Sequence, residues 1–127
     1  MERDTMIVAG FGFRASATVD SLASAFERAS GEWTVDALAV PADKCEVESF
    51  QSFSDRVNAP IIPVAAADLE AVHTTTQSAA SITARGTGSV SEAAALAAAG
   101  LDATLLAPRS VSEDRLATCS LAKGKPT

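Results

Sequence analysis

Four of the ten cationic residues, Arg14, Lys44, Arg85 and Arg109, each stand at or just beyond the end of a short apolar run. In an open α/β sheet that position is the carboxyl edge, where ligands bind. A cluster of guanidinium and ammonium groups there suits a small molecule carrying several carboxylates. Loops also carry charge simply because they face water, and the pattern alone leaves that alternative open. Two glycine pairs accompany the cations. Gly10 and Gly12 lie in Met6–Ser16, ahead of an amphipathic stretch, and Gly86 and Gly88 precede Ser89 and an alanine run. A strand, a glycine turn and a helix would aim free backbone N–H groups at an anion. Gly10 and Gly12 supply only two glycines of a dinucleotide fingerprint, so a ligand-free tight turn reads equally well. Ser16 and Ser89 can donate hydrogen bonds to a ligand or serve as helix caps.

Groups able to perform catalysis are few. Glu46, Glu48 and Glu92 are candidates for a general acid or base, although the first two also fit a solvated helix face and Glu92 fits a capping box with Ser89. His73 is the only imidazole. No nucleophile-elbow motif surrounds a serine. One His and two separated cysteines, Cys45 and Cys119, form no metal-ligand pattern, and both thiols are expected to be buried and reduced. No cofactor is implied.

The elements that must position these groups alternate in type. Strands are expected at 6–10, 34–40, 61–64, 103–107 and 116–121. Helices are expected from Ser16 to about Arg28 through Val19, Leu22, Ala23 and Phe26, and from Asp43 to about Val57 through Val47, Phe50, Phe53 and Val57. A short helix runs from Asp68 to Val72, and another from the Ser89 cap to Ala99. Gly31 and Gly100 are expected C-caps. Pro63 marks an edge strand. His73–Ser81 reads as a polar surface loop able to act as a lid, with 82–85 extended and Lys123–Thr127 a frayed tail. The predicted class is α/β: a three-layer α/β/α sandwich with a largely parallel, mixed central sheet, formed by one domain over residues 1–127 with its core at about 6–122.

Composition narrows the partners. The chain of 127 residues has a net charge of −6, five Phe, one Trp and no Tyr. That balance disfavours nucleic acid and anionic membranes. The charged N-terminus, Met1-Glu2-Arg3-Asp4, is unlike a signal peptide, and no apolar run reaches the ~20 residues of a membrane span. A soluble, cytoplasmic protein is expected.

The residues also resemble a family. Val8-Ala9-Gly10-Phe11-Gly12-Phe13-Arg14 with Ser16, Asp36-Ala37-Leu38-Ala39 followed by Lys44, Glu46 and Glu48, and Pro60-Ile61 leading to Asp68-Leu69 are similar to the CobE family and the C-terminal domain of CbiG-type cobalamin biosynthesis proteins. The polar segment with Ser78, the run Gly86-Thr87-Gly88-Ser89-Val90-Ser91-Glu92-Ala93-Ala94-Ala95-Leu96, Leu105-Leu106 with Pro108-Arg109, and Thr118–Ala122 continue the likeness over about 6–122. Phe13 stands where the family often has a small residue or Cys, and Arg109 where Lys is common.

The resemblance implies a role at the corrin-ring stage of cobalamin (vitamin B12) synthesis. Corrin intermediates carry many acetate and propionate groups. One expectation is a binding protein for a precorrin or hydrogenobyrinic-acid-type intermediate of the aerobic pathway. Gly10, Gly12, Arg14, Ser16, Lys44, Gly86, Gly88, Ser89 and Arg109 would then line its site. A second is a cobalt-precorrin-5A hydrolase-like enzyme that opens a lactone and releases a two-carbon fragment, using Glu46, Glu48 or Glu92. Family members with that activity carry an additional N-terminal domain. A third is a docking module for other enzymes of the cobalamin pathway.

Overall fold

Alternation along the first strand sets the layers. In the computed structural model, which describes residues 5–72 and 89–125, β1 spans Met6–Phe13. Ile7, Ala9 and Phe11 bury on one face and Val8 on the other. A strand buried on both faces must lie between helices. β1 is central to a sheet ordered β3-β2-β1-β6-β4, with β5 also paired to β6. The other strands are β2 (Ala37–Pro41), β3 (Ile61–Val64), β4 (Leu101–Leu105), β5 (Ser110–Val111) and β6 (Ala117–Lys125). β1 pairs in parallel with β2, and β2 with β3. β6 is antiparallel to β1, β4 and β5, so among the described residues it is the one reversed strand and the others run the same way. The expected largely parallel, mixed sheet between helices is the one observed.

The two faces are packed by opposite means. Helices α1 (Val19–Ser30) and α2 (Glu48–Val57) cover the face built from Phe11, Leu38, Val40, Cys119 and Leu121. Large rings fill that layer: Phe11 meets Phe50 and Phe53 edge-on, each at 5.4 Å between centroids. Helices α3 (Ala66–Glu70) and α4 (Val90–Ala99) cover the other face. There the layer is built from small residues: Ala93, Ala94, Ala95 and Ala99 of α4 are fully buried against Val8, Ala39 and Ala122. Leu69 of α3 and Val64 of β3 join this layer.

Gly10 and Gly124 show how close α4 lies. A Cβ on Gly10 would overlap the Ser91 carbonyl oxygen and the Ala95 nitrogen and sit 2.8 Å from the Ala95 Cβ. One on Gly124 would overlap the Ala99 carbonyl. Helix α4 therefore runs antiparallel to β1, its N-terminus over Gly12 and its C-terminus over the far end of β6.

Several boundaries differ from the sequence expectation, each for a local reason. β1 extends to Phe13, because its pairing with β6 continues to Phe13↔Ala117. α1 begins at Val19, not Ser16: Ala17 N–H closes a turn on the Arg14 carbonyl at 2.9 Å, and Thr18 then caps the helix reciprocally with Ser21. Asp43 does not start α2. Residues Ala42–Lys44 form a 3₁₀ turn, and the extended Val47 precedes the helix. β4 covers Leu101–Leu105 rather than 103–107, with a register shift between Leu101 and Thr104. Lys123–Lys125 are the end of β6, not a frayed tail. Cys45 is half-buried, whereas burial of Cys119 pushes its thiol far up; both cysteines are free. Pro63 lies in the edge strand as expected. Among the described residues no helix is long and apolar enough to cross a membrane.

Candidate functional site

The site is best built outward from Phe13, the last residue of β1. Its ring stacks on Phe50 of α2, with 5.6 Å between centroids and 13° between planes. The Lys44 ammonium lies over the Phe13 ring, 5.5 Å from its centroid. Aromatic faces attract cations through their quadrupole, by about 0.5–1 kcal/mol at an open site. The 3₁₀ turn after β2 thus holds Lys44 beside the end of β1. Arg14 follows Phe13, and its N–H donates to the Leu116 carbonyl at 2.9 Å. That bond places exposed Arg14 alongside the turn into β6.

The third cation arrives from the other side of β6. The Arg109 N–H donates to a carboxylate oxygen of Glu92 at 3.1 Å. Glu92 lies in the first turn of α4 and is fully buried. The N-terminus of α4 lies over Gly12, whose added Cβ would stand 3.3 Å from the Val90 Cβ. The carboxyl edge of β1 is therefore flanked by Lys44 on one side and by Arg14 and the α4 N-terminus on the other, with the Arg109 backbone tied to the first turn of α4 beyond β6. A helix N-terminus adds partial positive charge to such a cluster. Exposed acids also border the edge, among them Asp43 and Glu46.

Gly10 and Gly12 do not form the expected turn. Both lie inside β1, and Gly10 is buried beneath α4. Their small size serves helix approach, which corrects the idea of an N–H-donating loop after the first strand. Ser16 is exposed in the β1–α1 connection. Ser89 is fully buried and caps α4, its Oγ accepting from the Glu92 N–H at 3.4 Å and lying 3.4 Å from Ser91 Oγ. Ser91 in turn bonds Ser120 of β6 at 3.1 Å. Glu46 and Glu48 are exposed, Glu48 in the first turn of α2, where its charge suits the dipole. Gly86, Gly88, Arg85, His73, Ser78 and the proposed lid at 73–81 lie outside the described residues. Among the described residues no cluster of His, Cys, Asp or Glu is arranged to hold a metal ion.

Comparison with known proteins gives the fold its family. The family described as cobalamin synthesis G C-terminus matches residues 7–122. The chain belongs to this family. Among solved structures, CobE, a protein from the cobalamin (vitamin B12) biosynthetic pathway, matches with a TM-score of 0.85 and 28% identity over 97% of this chain and 93% of CobE. The cobalamin biosynthesis protein chiG from Agrobacterium tumefaciens str. C58 matches with a TM-score of 0.69 and 37% identity, covering 92% of this chain and 97% of that one. A putative cobalamin biosynthesis protein G homolog from Sulfolobus solfataricus shares the fold at 16% identity and a TM-score of 0.68; the match covers 94% of this chain and 37% of that longer one. Comparison with curated proteins finds no match. The resemblance noted in the sequence is thus confirmed, and the chain is a member of a cobalamin biosynthesis family.

Arg115 is a cation at this edge that the sequence pattern did not single out. It is exposed in the turn before β6, at φ 63°, next to the residue that accepts the Arg14 N–H. The turn is fixed by Asp114, which accepts hydroxyl bonds from Ser112 at 2.6 Å and from Ser21 of α1 at 2.5 Å. These bonds, led by the one from Ser112, hold the Asp114 carboxyl below its ordinary range. The signal was present in the sequence only as a charged turn between two apolar stretches. Its meaning depended on β6 running backwards.

Proposed function

We propose that this protein binds a polycarboxylate corrin-ring intermediate of cobalamin biosynthesis, a precorrin or hydrogenobyrinic-acid-type compound, at the carboxyl edge of β1. The observation that supports this reading is that three separate connections bring cationic residues near the end of β1: Arg14 directly after it, Lys44 over the Phe13 ring, and Arg109 with its N–H bonded to Glu92 in the first turn of α4. Guanidinium groups at Arg14 and Arg109 suit bidentate contact with acetate and propionate side chains, while Lys44 offers a point charge. Membership of the cobalamin synthesis family, and the cobalamin pathway named for CobE, support a corrin-ring intermediate as the ligand. The aerobic pathway is the proposed setting, and the cytoplasm the proposed location.

A hydrolytic role on the same ring finds less support. The Glu92 carboxylate is engaged by the Arg109 N–H, and Glu46 and Glu48 face water. Titration of the purified protein with hydrogenobyrinic acid, followed by corrin absorbance and by co-elution in gel filtration, tests the binding role. Saturable binding at micromolar concentration or tighter is expected, weakened about tenfold by Arg14→Ala or Lys44→Ala, the loss of one charge-assisted contact. Wild-type affinity in both variants overturns the clamp. Turnover of a lactone-bearing precorrin, abolished by removing Glu46 or Glu48, would instead establish the enzyme, and capture of another pathway enzyme without corrinoid would favour a docking module.

A further inference from the structure

The segment that carries Arg109 is a strap fastened at both ends. After β4, the Leu106 N–H donates to the Leu121 carbonyl at 2.9 Å. Beyond Arg109, Ser110 and Val111 pair with Cys119 and Thr118 of β6. Farther on, the Glu113 N–H donates to Ser24 Oγ of α1 at 3.0 Å, and Asp114 accepts from Ser21. Between these fastenings, Ala107 and Pro108 are exposed. The bond from the Arg109 N–H to Glu92 ties the middle of the strap to α4. A carboxylate that is fully removed from water is costly unless hydrogen-bonded, so Glu92 has a standing preference to keep that N–H.

We propose that Glu92 is a positioning residue: its buried carboxylate sets where Arg109 stands at the carboxyl edge, and so tunes affinity for a polycarboxylate ligand. This rests on the binding role proposed above. Glu92 itself does not touch the ligand. Its influence on the ligand passes through the Arg109 backbone bond to the residue that does.

A double-mutant cycle on hydrogenobyrinic acid affinity tests this. Glu92→Gln keeps an oxygen acceptor for the Arg109 N–H and is expected to hold affinity within about threefold, whereas Glu92→Ala is expected to cost about tenfold. In an Arg109→Ala background, Glu92→Ala is expected to add less than about twofold, because its route to the ligand is gone. An undiminished effect in that background overturns the proposal, as does a Glu92→Gln loss as large as that of Arg109→Ala. A second measurement does not depend on the ligand or on the alanine variant folding. In Glu92→Gln, replacing the carboxyl acceptor by an amide is expected to shift the Arg109 amide proton more than any other amide of residues 101–116 and to quicken its exchange. An unmoved Arg109 amide overturns the positioning role. Failure of the wild-type protein to bind hydrogenobyrinic acid would count against the clamp, and the amide result would still decide whether Glu92 holds Arg109.

Discussion

Gly10 is the residue on which the sequence and the structure assign different physics. In the sequence it is part of a glycine turn. In the fold it is a gap in the sheet surface into which α4 settles. Gly10→Ala adds one methyl group, and that methyl meets backbone atoms of Ser91 and Ala95 that no rotamer change can move. Overpacking of this kind costs about 2–3 kcal/mol, so the variant is expected to unfold at markedly lower urea with an unchanged slope. If Gly10 were instead a ligand-binding turn, its substitution would lower affinity and leave the urea midpoint in place. Arg14 and Lys44 were legible as residues that follow an apolar run: Arg14 comes directly after β1, and Lys44 lies in the turn after β2. Arg115 and the bond between Arg109 and Glu92 were not, because each depends on a contact between residues whose neighbourhood no local pattern records.

At the scale of elements, β6 is the strand that joins the molecule, and its last residues were the hardest to read. Lys123-Gly124-Lys125 has the composition of a loose end. Yet Ile7 pairs with Lys123, Met6 with Gly124, and Leu101 with Lys125. The charged side chains at 123 and 125 stay exposed while Gly124 is buried under Ala99. Alternation of one buried position between two exposed ones is a strand signal too short to register. Ending the chain after Ala122 removes the last pairings with both β1 and β4. The truncated protein is expected to lose about 2 kcal/mol or more, read as a lower urea midpoint, with amide protection lost first at Met6 and Ile7. A midpoint equal to that of the full chain would mean that the end of β6 adds nothing to the sheet. The long periodic helices were legible for the opposite reason: α1 and α2 announce their buried faces through Leu22, Phe26, Phe50 and Phe53. Their starts were misplaced because Thr18 caps α1 in place of Ser16, and because Val47, with no capping side chain, stands at the entry to α2.

The molecule as a whole carries a net charge of −6, and its proposed ligand is also an anion. Far from the surface the two repel. The proposed clamp requires that Arg14, Lys44 and Arg109 reverse the sign within the carboxyl edge. These two ranges respond differently to salt, since ions screen over about 10 Å at 0.1 M and act least on groups in contact. Approach is governed by the distant field and departure by the contacts. Raising ionic strength from about 0.05 to 0.5 M is therefore expected to leave the association rate of hydrogenobyrinic acid unchanged or slightly faster. The dissociation rate should rise several-fold, because partly exposed carboxylate pairs weaken in salt. Stopped-flow absorbance separates the two rates. Arg14→Ala is expected to speed dissociation at low salt and to flatten its dependence on salt. If association instead falls steeply as salt rises while dissociation stays level, the attraction lies in a broad field and not in a clamp. A diffuse attraction of that kind is hard to reconcile with so acidic a chain, so that outcome would direct the search to cations outside the edge of β1.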